Sequence, residues 1–175
     1  MLRATRFLFA GLLAAALVPT AAIAREQPKS IGSFQAWAAY TIGPPQKRTC
    51  YIVGRPVRSE PEVKRGDVYI LISDQVGDKA MNQISVNAGY PYRKDSKVAV
   101  AIGSATFTLA TVDKPGYQDT AWALDDQTRT GLIAAMRKGS SMTVKGEPAR
   151  GVGTTDTYSL DGITKALQTI AHACR

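Results

Sequence analysis

The side chains able to do chemistry are few in this sequence. His172 is the only histidine, so any Ser-His or Cys-His nucleophilic site would have to use it. It falls in the last turn of an apolar-periodic C-terminal segment, where a cationic ring is a favourable partner for a helix dipole. Paired carboxylates for acid and base work would need to converge in a cleft. Asp125 and Asp126 read instead as a helix cap, and Asp74 and Asp78 as part of a polar turn. Asp156 is odder. Strand alternation places it on the face of Tyr158 and Leu160, where an unpaired carboxylate is costly, so it needs a basic partner or a place at a strand end. Two cysteines and one histidine cannot fill a four-ligand zinc site without carboxylates, and no metal or cofactor is expected. Gly151-Val152-Gly153 lacks the third glycine and the strand-to-helix setting of a dinucleotide loop, and reads as a plain loop.

Recognition is better represented than catalysis. Arg65-Gly66-Asp67 spells a tripeptide read by adhesion receptors, although in a turn ahead of a strand Gly and Asp are ordinary residues. Basic residues recur at element ends: Lys47-Arg48, Lys64-Arg65, Arg93-Lys94, Arg137-Lys138 and Arg150. On a sandwich these would gather at the two poles, where a positive field attracts anions. Tyr90-Pro91-Tyr92-Arg93-Lys94 is the one loop that sets aromatic rings beside cations, and Tyr90, Tyr92, Arg93 and Lys94 are the candidate binding residues. Such tyrosines also serve simply to pack a turn. The partner expected from charge is anionic envelope material, such as acidic polysaccharide or lipid A phosphates, or another protein, rather than nucleic acid.

The chain that must position these residues is 175 long, with 22 Lys and Arg against 14 Asp and Glu, a formal net charge of +8. That is one domain's worth of residues. Arg3 and Arg6, the apolar or small run from Phe7 to Val18, the break at Pro19 and the small-x-small triplet Ala22-Ile23-Ala24 describe a signal peptide over residues 1–24. The run is too short for a membrane span, which needs about 20 apolar residues, and nothing later in the sequence supplies one. Cleavage after Ala24 would leave Arg25 first. Export puts Cys50 and Cys174 in an oxidising compartment, where an even count argues for one disulfide. Closing so long a loop is worth roughly 5 kcal/mol as an upper figure in chain-entropy terms.

Residues 25–33 are polar and read as a loose lead-in to a domain over residues 34–175. Apolar runs then recur about every ten residues, predicting strands over 34–42, 50–55, 68–73, 83–88, 98–102, 106–110, 120–124, 142–145 and 155–160. That spacing belongs to a sandwich or a barrel. Ile84 and Val86 alternate with polar neighbours, as do Phe107 and Leu109, and Met142 and Val144, giving one core face and one wet face each. Strands 68–72 and 50–53 are apolar on both sides and should lie centrally or beneath a helix. Gly103-Ser104 suits a two-residue hairpin turn between strands 98–102 and 106–110. A short amphipathic helix is predicted from a cap at Asp125 or Asp126, with Leu132, Ile133 and Met136 as its stripe, to a stop at Gly139. A second opens at Ser159 or Asp161 and carries Ile163, Leu167, Ile170 and Cys174 on one face, so that a disulfide would staple it to the strand beginning at Cys50.

Several stretches together resemble a known family. These are Cys50-Tyr-Ile-Val-Gly-Arg-Pro56, Asn82-Gln-Ile-Ser-Val-Asn-Ala-Gly-Tyr-Pro91, Ala134-Ala-Met-Arg-Lys-Gly139, Val144-Lys-Gly146, Gly153-Thr-Thr-Asp-Thr-Tyr-Ser-Leu160 and Cys174. In that order they are similar to the invasion-associated locus B family of exported bacterial proteins. The resemblance implies an immunoglobulin-like antiparallel β-sandwich and a periplasmic, outer-membrane-associated or secreted location. It also implies a role named for host-cell invasion in some pathogens. It carries no catalytic residues onto this chain. Many members have a second cysteine pair nearer the N-terminus of the domain, and Trp37 to Tyr40 contains none, which leaves one disulfide. The functional expectation is a non-enzymatic envelope or host-interaction module. The alternative is an envelope-polymer hydrolase using carboxylates or His172.

Overall fold

The computed structural model of the protein describes residues 26–78 and 81–175, and the segment read as a signal peptide lies outside them. Eleven strands and two helices follow the chain: β1 (Lys29–Phe34), β2 (Trp37–Ile42), β3 (Thr49–Gly54), β4 (Arg58–Glu60), β5 (Tyr69–Gln75), β6 (Gln83–Asn87), β7 (Lys97–Ile102), β8 (Ala105–Thr111), β9 (Thr120–Trp122), α1 (Asp126–Lys138), β10 (Ser141–Gly146), β11 (Thr154–Ser159) and α2 (Ile163–Ala173). All pairings are antiparallel, and the strands form one sheet in the order β1-β2-β3-β5-β6-β9-β8-β7-β10-β11-β4.

The protein is therefore mainly β, but its ladder is not divided into the two sheets of an immunoglobulin-like sandwich. The sheet curls as a half-barrel, and the reason is β9. Its three residues pair with Ser85 to Asn87 on one side and with Ala110 and Thr111 on the other, joining two groups of five strands that would otherwise face each other unlinked. The far ends of the ladder also approach each other. The Trp37 indole at the start of β2 donates to the Ser159 carbonyl in β11 at 3.2 Å, and the chain passes from β3 to the opposite edge strand β4 through only Arg55, Pro56 and Val57.

Alternation decides what the curl encloses. Cys50 and Ile52 of β3, Ile70 and Ile72 of β5, Ile84 and Val86 of β6 and Val98 and Val100 of β7 point inward and are fully or almost fully buried. Helix α2 covers β1, β2, β3 and β5 with Ile163, Ala166, Leu167 and Ile170. Strands β3 and β5 thus lie beneath a helix on one face, as their apolar sequences require, while Tyr51, Val53, Tyr69 and Leu71 on the other face are only half-buried. The Cys50–Cys174 disulfide closes the end of α2 onto β3, with both cysteines buried. The Gly103-Ser104 turn joins β7 to β8 in the expected register, Ile102 opposite Ala105.

Three local expectations are corrected. The lead-in enters the sheet at Lys29 as β1, and the single strand expected over 34–42 is a hairpin broken at Gln35, whose φ is 52°. Helix α1 is capped by Asp125, whose carboxylate accepts from Thr128 N at 2.7 Å and Thr128 Oγ1 at 2.8 Å. Helix α2, in contrast, starts at neither Ser159 nor Asp161 but at Gly162, with φ 86° and no side-chain cap. A Cβ at Gly162 would sit 2.2 Å from the Phe34 carbonyl oxygen, so the close approach of β1 to this turn, together with the left-handed backbone, demands glycine.

Candidate functional site

The polar half of the interior is built around Arg65. Its guanidinium grips both oxygens of Asp156, Nη2 on Oδ1 and Nη1 on Oδ2, the latter at 2.9 Å. It also donates to the Ala88 carbonyl at 3.0 Å and to Ser59 Oγ at 2.9 Å, while Ser59 Oγ donates to Asp156 Oδ1 at 2.6 Å. Side-chain exposure is 6% for Arg65 and 3% for Asp156, so both charges are out of water and hold each other. Burial alone would lower the Arg65 pKa, but the hydrogen bond and charge of Asp156 outweigh it and raise the value above the usual one. The Tyr90 ring lies 5.7 Å from the guanidinium carbon, and its hydroxyl shares a 2.7 Å hydrogen bond with Thr154 Oγ1. Tyr92 meets Tyr90 edge-on at 5.6 Å. The hydroxyls of Tyr92 and Tyr158 are buried without a hydrogen-bond partner among the described residues, and burial, the largest cause, pushes both phenols well above the usual tyrosine range.

Close backbone packing turns Arg65 inward. Gly66 N donates to the Gly89 carbonyl at 2.8 Å, and a Cβ on Gly89, whose φ is 70°, would meet Gly66 O at 2.5 Å. The Arg65-Gly66-Asp67 triplet consequently does not present its arginine; the turn is structural.

The same network underlies the Tyr90 to Lys94 loop. Tyr92 N donates to Gln118 O, Arg93 N to Glu147 O and Ala149 N to Pro91 O, each at 2.8 Å, so residues 90–93 form a rib bonded to the β8–β9 loop on one side and the β10–β11 loop on the other. A cleft of about 350 Å³ lies on one side, lined by Tyr69, Asn87, Tyr90, Gln118 and Asp119 among others. A second, of about 250 Å³, includes Tyr92, Arg93, Lys94, Asp95 and Asp113 in its lining. The four candidate residues are therefore brought together but not to one purpose. Tyr92 is buried, Tyr90 is half-buried, and Arg93 and Lys94 are exposed and paired with Glu147 and, at 3.3 Å, with Asp113. A third cleft, of about 580 Å³, lies on the outer face of β2 and β3 beside the stacked rings of Tyr40 and Tyr51.

The other chemistry-bearing residues fall elsewhere. His172 is exposed on the last turn of α2 and lines none of these clefts. Asp74 belongs to β5 rather than to a turn; it is buried, it accepts from Asn82 N at 2.6 Å, and burial raises its carboxyl pKa. Among the described residues no group of three or more His, Cys, Asp or Glu could hold a metal ion. Sequence reasoning gave Asp156 a basic partner or a place at a strand end; the structure gives it the partner, which the sequence did not identify as Arg65, nor the neighbours Ser59 and Thr154. Five basic clusters were available, and the Gly66 to Gly89 contact that selects Arg65 links positions far apart in the chain.

The fold and this interior define a small β-rich domain with a charged pair buried beneath its loops. A family model described as Invasion associated locus B (IalB) protein matches residues 37–171, and the chain belongs to that family, which is not a known enzyme family. The crystal structure of invasion associated protein B from Bartonella henselae shares the fold, with a TM-score of 0.56 at 13% identity over 82% of this chain and 96% of that one. No curated protein matches the sequence. The disulfide fits an exported protein, and among the described residues no helix is long and apolar enough to cross a membrane.

Proposed function

We propose that this chain, freed of residues 1–24, is a non-catalytic module of the bacterial envelope, periplasmic or held at the outer membrane. In this reading it binds an envelope component or another protein through the loops around Tyr90, Tyr92, Arg93 and Lys94. The observation that supports it is the construction of the rib. Its backbone is tied to two neighbouring loops, its tyrosines reach down to the Arg65 network, and its cations face water. Exposed ion pairs of this kind hold about 0–1 kcal/mol each. A phosphate or uronate can therefore replace Glu147 or Asp113 at little cost, and anionic polysaccharide or lipid A phosphates are the partner chemistry the rib suits.

The test compares Arg93→Glu with Lys94→Glu against Arg137→Glu with Lys138→Glu, which changes net charge equally at the end of α1. Binding to lipid A-containing vesicles and to dextran sulfate, measured at low and high salt, should fall at least about tenfold for the rib pair only, a difference of ~1.4 kcal/mol. Equal losses would mean that net charge alone matters, and retained binding in the rib variant would remove this reading.

A further inference from the structure

We infer that the cleft on the Tyr69 side of the rib is a site for an uncharged sugar ring of an envelope glycan. The inference rests on the proposal that the rib is the recognition element, and it assigns the rib's other side a different chemistry. The cleft's lining carries two carboxylates, Asp67 and Asp119, and no lysine or arginine; Asp67 is paired with Arg55 at 3.5 Å, so Asp119 is the charge that disfavours here the polyanion expected at Arg93 and Lys94.

Three of its polar side chains are fixed by hydrogen bonds and each keeps a further donor or acceptor. Asn87, 9% exposed, accepts from Gly89 N at 2.9 Å through Oδ1 and donates to Thr120 Oγ1 at 3.4 Å through Nδ2, which keeps a second hydrogen. Gln118 accepts from Gly116 N at 3.0 Å through Oε1, committing its NH2 to the role of donor. Asp119 accepts from Thr120 Oγ1 at 3.0 Å through Oδ1, leaving Oδ2 as an acceptor. Fixed amide donors beside a carboxylate acceptor match vicinal hydroxyls, which both give and take hydrogen bonds. Tyr69 and Tyr90 supply rings against which the C–H face of a pyranose can lie, and Tyr90 is held in place by Thr154, Arg65 and Tyr92. A volume of about 350 Å³ is at the small end of ligand pockets and suits a sugar ring rather than a long polymer.

The experiment titrates the mature protein with maltotetraose and with N-acetylated chitotetraose by ligand-observed and protein NMR, at about 20 and 500 mM salt. The two probes distinguish plain from acetamido sugars. At least one should bind with an affinity indifferent to salt. Asp119→Asn, which exchanges the open acceptor for a donor, and Gln118→Ala should each weaken it by about tenfold or more. Arg93→Glu with Lys94→Glu should leave it unchanged. Unaltered amide spectra away from the cleft show that the variants are folded. Loss of sugar binding in high salt, equal loss in the Arg93 and Lys94 variant, or no binding of either probe would overturn the inference. If dextran sulfate still bound through Arg93 and Lys94, the proposed function would stand without it.

Discussion

The two halves of the molecule are held by different forces. Under α2, the sheet is closed by Cys50, Ile52, Ile70, Ile72, Leu167 and Ile170, an apolar packing tied at its end by the disulfide. Beneath the rib, the corresponding place is taken by Arg65, Asp156, Ser59, Thr154 and Tyr90, a charged and hydrogen-bonded set sealed by Tyr92 and Tyr158. Apolar packing is non-directional and tolerates volume-conserving exchanges. The guanidinium network is directional, and it fixes where the loops lie. The apolar half supplies stability and the polar half supplies position, which is why the candidate recognition loops stand over the second.

The comparison is broken most severely at Asp156. Asp156→Ala leaves a buried guanidinium without its anion, and denaturant unfolding should show a loss of about 3–5 kcal/mol. Arg65→Met combined with Asp156→Leu removes both charges and should recover much of that loss. In the double variant the amide resonances of residues 88–93 should nonetheless shift or broaden, because the bond from Arg65 to the Ala88 carbonyl and the cation against the Tyr90 ring are gone, leaving Tyr90 only its hydroxyl bond to Thr154. Restored stability with an unperturbed rib would show that the network does not position the loops.

The disulfide tests the other half. Cys50→Ala with Cys174→Ala should lower stability by about 2–4 kcal/mol while the β-rich circular dichroism persists, since the apolar contacts of α2 remain. Amide exchange in α2 should accelerate while that of residues 88–93 stays the same. A rib that loosens together with α2 would mean that the halves are not independent.

The apolar half was the more legible of the two in the sequence. Apolar runs between turn residues marked β5 through β10 closely, with period-2 alternation clear in β6, β8 and β10, and the period-3.6 stripe from Ile163 to Cys174 named both the helix and its tether. Strand β1 escaped because Ile31 and Phe34 are its only large apolar residues and its ladder shifts between Ser30 and Gly32. Strand β4 escaped because it is three residues long and points Ser59, not a hydrophobe, at its neighbour. The curled continuous sheet rests on three residues of β9, too few for a pattern to show that they pair on both sides. The candidate loop at Tyr90 to Lys94 was singled out by composition alone. That its tyrosines turn inward depends on Arg65, whose place is set by a contact between two distant glycines.

The smallest effect separates two carboxylates with opposite histories. Burial raises the folded pKa of Asp74, in the apolar half, above its ordinary value, so its favourable contribution is complete below the ordinary carboxylate pKa and is lost as pH rises through the folded value. The hydrogen bonds from Thr128 lower that of Asp125, so its contribution is complete above the ordinary pKa and is lost as pH falls through the depressed value. Asp74→Asn should therefore gain on the parent protein in melting temperature between about pH 3 and pH 7. Asp125→Asn should run the other way, matching the parent most nearly in acid and falling behind it towards neutrality. Thermal melts of the three proteins across that range check both slopes together. Parallel curves for Asp74→Asn and the parent would show that Asp74 titrates alike folded and unfolded, and that its hydrogen bond from Asn82 fully offsets its burial beside the disulfide-bonded strand.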